Sequence, residues 1–154
     1  MKRVFADTAC WIALLNPRDQ LHSRAIEAST RLAAVRIVTS DWVLTELLNS
    51  FTESRPELRS AAASTVVALR SNPDVTVVPQ SRGAFTAALD LYRERSDKGW
   101  SLTDGSSFLT IRQLEIGAAQ RRTGISNKQA ARPCLDSQRM ARRASNFNSG
   151  NSVS

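Results

Sequence analysis

The sequence predicts an α/β fold, a parallel sheet covered by helices. Two observations carry that expectation. Short β-branched runs alternate with longer segments whose apolar residues recur at helical spacing. The stretches between successive strands are too long for hairpins, so neighbouring strands run parallel with helical crossovers. A chain of 154 residues is long enough to bury one real core, and no internal repeat divides it.

The elements follow in order. "RVFAD" (3–7) reads as a first strand that ends on a polar residue. "TACWIALL" (8–15) has helical spacing and stops before Pro17, and "LHSRAIEASTRLAA" (21–34) is an amphipathic helix. "VRIVTS" (35–40) is a second strand, whose Ser40 caps the helix "DWVLTELLNSFTES" (41–54). Arg55-Pro56 ends that helix. A helix over 57–71, a third strand "VTVVP" (75–79), a helix over 81–96 and a helix over 102–117 complete the body.

After Ala119 the character changes. Residues 120–154 are rich in Arg, Ser and Asn, poor in Leu, Ile and Val, and hold no sustained period. They read as a disordered tail with at most a helical turn near 135–143, beside a folded domain over 1–119. Seven basic residues (Arg121, Arg122, Lys128, Arg132, Arg139, Arg142, Arg143) face Asp136 alone there. Six of the seven net positive charges therefore belong to the tail. The high pI says little about the body's own partners.

Other classes are disfavoured. Cys10 and Cys134 have no metal-site spacing and build no disulfide framework, which suits a reducing cytoplasm. Lys2 and Arg3 precede an apolar run, but Asp7 interrupts it and Asn16-Pro17 closes it, unlike a signal peptide. No segment is long enough to span a bilayer, so a cytoplasmic protein without a membrane partner is expected. His22 is the single histidine, which argues against zinc and against a His-based triad. Neither a P-loop nor a G-x-G-x-x-G is present.

Three acids stand where such folds place their chemistry. Parallel sheets carry functional groups at the carboxyl ends of strands. Asp7 follows the first strand, and Asp104 sits at a helix start in "DKGWSLTDGSSF". Glu46 borders the apolar face of the 41–54 helix made by Val43, Leu44, Leu47, Leu48 and Phe51. Convergent carboxylates suit a hard divalent cation such as Mg2+ or Mn2+, which can activate water against a phosphodiester. Each acid also has a plain structural role open to it. Asp7 can cap the helix at Thr8, Glu46 can be a solvated flank, and Asp104 can pair with Ser101 as a capping acid.

The segments "FADTACWIALLNPRDQLHSRA", "VTSDWVLTELLN" and "YRERSDKGWSLTDGSSF", in this order, resemble the PIN domain, specifically the VapC-like toxins of bacterial toxin–antitoxin pairs. The resemblance spans roughly residues 2–119. It implies a three-layer α/β/α fold, a magnesium-dependent ribonuclease acting on RNA, a cognate antitoxin and a homodimer. Carried over residue by residue, the catalytic and metal-binding acids are Asp7, Glu46 and Asp104. Thr8, Thr103 and Ser106 are supporting hydroxyls around them. Asp97 and Lys98 read as an ion pair or loop anchor. A helix cap and a metal ligand are compatible roles for Asp104, because the helix N-terminus helps keep the acid ionised.

The chain then departs from the pattern. Members of this family continue with a fourth strand, another Asp in a "T-x-D-x-H-F"-like stretch, and a closing strand. Here Gln120, Arg121, Arg122 and Thr123 follow Ala119, and the fold is expected to lack its last strand or strands. A shifted reading frame downstream of codon 119 accounts for such an end, and a natural extension binding RNA or antitoxin is the alternative. The loss of one acid leaves a second role open, a catalytically weakened remnant that binds antitoxin or RNA.

Overall fold

A computed structural model describes residues 2–31 and 35–120. The expectations for the tail over 121–154, and for the end of the second helix at 32–34, lie outside the described residues. Within them the chain runs β1 (Lys2–Phe5), α1 (Thr8–Leu15), α2 (His22–Arg31), β2 (Val35–Ser40), α3 (Asp41–Ser50), α4 (Pro56–Ser71), β3 (Val75–Val78), α5 (Arg82–Glu94) and α6 (Leu102–Gln120). Every expected element forms.

The described strands make one parallel sheet in the order β1-β2-β3, flanked by helices. Lys2 pairs with Val35 and Phe5 with Val38, while Ile37 pairs with Val75 and Ser40 with Val78. β2 is therefore central and β1 forms one edge. The pairing continues just past β1, where the Ala6 N–H donates to the Val38 carbonyl. This last bond carries the ladder to the doorstep of Asp7.

Helix starts follow the capping chemistry of the sequence. Asp7, Ser40 and Ser81 each accept a hydrogen bond from the backbone N–H three residues on. Pro56 opens α4, where its missing N–H costs nothing. The core gathers Phe5, Ala6, Val38, Val43, Leu44 and Leu47 with Cys10 and Trp11 of α1 and Ala62 and Leu69 of α4. α5 lies along α6, and α3 touches α1, α4 and α6.

The C-terminal end of α3 and one of its core positions differ from the sequence expectation. α3 stops at Ser50, and Phe51 serves as its C-cap while staying buried. The apolar period continues through Phe51, but residues 52–54 turn to reach Pro56. Periodicity puts Leu48 on the core face, yet it is 39% exposed, while Val43, Leu44, Leu47 and Phe51 are the positions that packing covers.

Candidate metal centre

Asp7 is the most constrained of the three acids. It is 3% exposed, and its Oδ1 accepts from the Cys10 N–H at 2.9 Å as the cap of α1. Its other oxygen, Oδ2, is buried and has no hydrogen-bond partner among the described residues. Burial raises its pKa above the ordinary carboxylate value, and the negative charges of Asp104 and Glu46 raise it further. Asp7 therefore lies within the field of both other acids.

The segment bearing Asp7 is pinned from below. Thr39, fully buried in β2, donates its hydroxyl to the Ala6 carbonyl at 3.0 Å and accepts from the Trp11 indole N–H at 3.3 Å. This anchor was not singled out from the sequence. A threonine near the end of a β-branched strand gives no sign that its hydroxyl faces a neighbouring strand's terminus.

Glu46, half-buried on α3, accepts a hydrogen bond from the Thr8 hydroxyl through Oε2. That bond joins the first turn of α1 to the middle of α3. Asp104 lies in the first turn of α6 and forms a reciprocal capping box. The Ser101 N–H donates to Asp104 Oδ2 at 2.8 Å, and the Asp104 N–H donates to Ser101 Oγ at 3.1 Å. The cap fixes the carboxylate's position. Ser106 is buried in α6, where its carbonyl accepts from the Thr110 hydroxyl. Thr103 is half-buried beside Asp104. Neither hydroxyl bonds one of the three acids among the described residues.

The loop before α6 is tied down as expected. Lys98 and Arg95 both pair with Asp97, at 3.3 Å and 3.2 Å. Arg95 also lies over the Trp100 ring, 5.2 Å from its centroid, and Trp100 packs on Phe108. These two cations, exposed and bound to Asp97, hold the Asp97 carboxyl below its usual range, with the Arg95 hydrogen bond the larger cause. His22 is equally structural, its Nδ1 set 2.7 Å from the Ala13 carbonyl.

No ion pair neutralises Asp7, Glu46 or Asp104 among the described residues; the pairs there use Asp41 and Asp97. A structural salt-bridge network would supply a basic partner. Here the repulsion is left open, which suits a cation supplied from outside. The three do not close into a cage, since among the described residues no three His, Cys, Asp or Glu side chains converge closely enough to hold a metal alone. Magnesium needs no such cage. It binds through one or two carboxylates, keeps several waters, and takes only hard oxygen donors. The donor set fits it on chemistry: all oxygen, with one buried oxygen unpartnered.

No helix among the described residues is long and apolar enough to cross a membrane. Comparisons with known proteins agree with this architecture. The chain is similar in structure to the VapC20 toxin of Mycobacterium tuberculosis, a Sarcin-Ricin loop cleaving toxin, with a TM-score of 0.64 and 26% sequence identity. The similarity covers 73% of this chain and 83% of the toxin's. No curated protein matches the sequence. The sequence pattern of the PIN domain matches residues 4–116, which takes in all three acids, β2, β3 and the second half of β1. On that match, over a parallel sheet flanked by helices, the chain belongs to the PIN domain family.

Proposed function

We propose that this chain is a Mg2+- or Mn2+-dependent endoribonuclease, the toxin of a toxin–antitoxin pair, and that Asp7, Glu46 and Asp104 form its catalytic and metal-binding set. The supporting observation is the buried, unpartnered Oδ2 of Asp7 in the field of two further carboxylates with no basic partner. A divalent ion bound there would supply an activated water and offset the charge that builds on the phosphate. Asp7 gives the ion an oxygen already out of water. The capping box of Asp104 and the Thr8 bond of Glu46 hold the other two acids ready. Thr103 and Ser106 stand beside Asp104 as supporting hydroxyls. No side-chain nucleophile is involved.

The reading carries partners with it: an RNA substrate, a cognate antitoxin and a second copy of the chain, in the cytoplasm. Likeness to a toxin that cleaves the Sarcin-Ricin loop supports an RNA substrate. The deciding experiment is RNA cleavage by the purified full chain with Mg2+ or Mn2+, with EDTA and Asp7→Asn as controls. Cleavage lost in both controls is the expected result. A folded chain that cuts no RNA with either metal would sink the enzyme reading.

One observation favours a second reading, a weakened relative that binds. The seven basic residues of 120–154 would supply a sequence-independent affinity for RNA that needs none of the acids. Under that reading, binding is lost on deleting the tail and is untouched by Asp104→Asn.

A further inference from the structure

Trp42 of α3 and Phe85 of α5 form an aromatic pair that the proposed chemistry leaves unused. Trp42 lies in the first turn of α3, one turn before Glu46, so both stand on the same side of that helix. Phe85 lies in the first turn of α5 and stacks on the Trp42 indole, with centroids 5.7 Å apart and planes 17° from parallel. Further along α5, the Ala88 carbonyl and the Leu91 side chain lie against Gly105, the residue after Asp104. Along α3 the pair is offset from Glu46 by about one helical turn, roughly 5 Å of rise, and along α5 Phe85 precedes the residues that meet Gly105 by one to two turns, roughly 5–9 Å of rise.

Two features separate this pair from ordinary packing. Phe85 is 41% exposed although Trp42 covers part of its ring, and Leu89, one turn on, is 37% exposed. The indole N–H of Trp42 is buried with no partner among the described residues. A phenylalanine or leucine there would avoid that loss of stability. The acids, meanwhile, are poor at binding a polyanion, since three carboxylates repel the phosphates they are to act on. Substrate affinity has to come from groups beside them.

We propose that the Trp42–Phe85 pair is a stacking platform for one base of a single-stranded RNA lying across the carboxylates. The inference rests on the ribonuclease reading and adds to it the positioning residues for substrate. Every base has a π-face, so the platform grips the strand with little regard to sequence. It holds a nucleotide next to the reacting phosphate.

The test uses the full chain carrying Asp104→Asn, with Mg2+ and a short fluorescein-labelled single-stranded RNA, at salt high enough to suppress binding by the tail. Phe85→Leu keeps apolar bulk and removes the π-face, and it is expected to weaken binding about tenfold. Phe85→Trp restores it. An RNA made abasic at the stacked nucleotide loses the same factor, and combining it with Phe85→Leu adds nothing. Equal affinity for Phe85→Leu and its parent, with both folded, overturns the platform and leaves the pair as packing or as a protein-docking face. Equal losses for Phe85→Leu and Phe85→Trp overturn it too. Cleavage by the chain with its acids intact separates the two readings. Metal-dependent cleavage with the same KM in Phe85→Leu removes the platform alone, whereas RNA neither bound nor cut removes both.

Discussion

Asp7 is held in a state that it does not favour by itself. Its folded-state pKa lies above the unfolded value, first because of burial and then because of Asp104 and Glu46. Such a carboxyl takes up protons on folding. Its effect on stability is most favourable at low pH and declines as pH rises from the unfolded value through the folded one. At neutral pH the ionised group therefore weakens the metal-free fold. Asp7→Asn keeps an oxygen for the Cys10 N–H and removes the charge. In EDTA the variant is expected to melt a few degrees above the parent, with a flatter stability profile between pH 4 and 7. It is also expected to lose any gain in Tm that Mg2+ gives the parent. A variant that melts lower in EDTA would show that the charge is not strained.

Between residues and fold, the elements carry the site through their ends. The Ser101–Asp104 box starts α6, so Ser101→Ala should cost about 1 kcal/mol by urea denaturation. An unchanged midpoint would mean that Trp100 and Phe108 fix the helix start without it. Thr39→Val should cost more, about 1–3 kcal/mol, because it strands the buried Trp11 N–H and the Ala6 carbonyl together. Much at this scale was legible beforehand. Ser40 and the Ser101–Asp104 spacing signal their helix starts through local chemistry alone. The end of α3 did not show itself, because Phe51 satisfies the helical period while its backbone has left the helix. Leu48 misled for the same reason: period assigns a face, but only tertiary packing decides how much of it is covered.

For the whole molecule, the place of Asp7 at the carboxyl end of β1 was readable from strand order and the strand-end rule. Contacts between distant segments were not. Nothing in the spacing joins Trp42 to Phe85, or ties Asp41 to Arg70 and to the Gln80 N–H. The charge distribution belongs to this scale as well. Deleting 121–154 should flatten the salt dependence of RNA binding, by up to about 0.7 in log–log slope for each phosphate released. Cleavage at saturating RNA should persist after that deletion. A salt slope that does not change would place the RNA contacts on the body and not on the tail.

The order β1-β2-β3 is also the order of synthesis. Each strand leaving the ribosome finds its neighbour already made, so the sheet can grow from the N-terminus without waiting for later chain. The carboxylates arrive on a different schedule. Asp7 emerges first and Asp104 last, on α6, the final helix described. Until that helix docks, a nascent chain owns a sheet but only two of the three carboxylates in place.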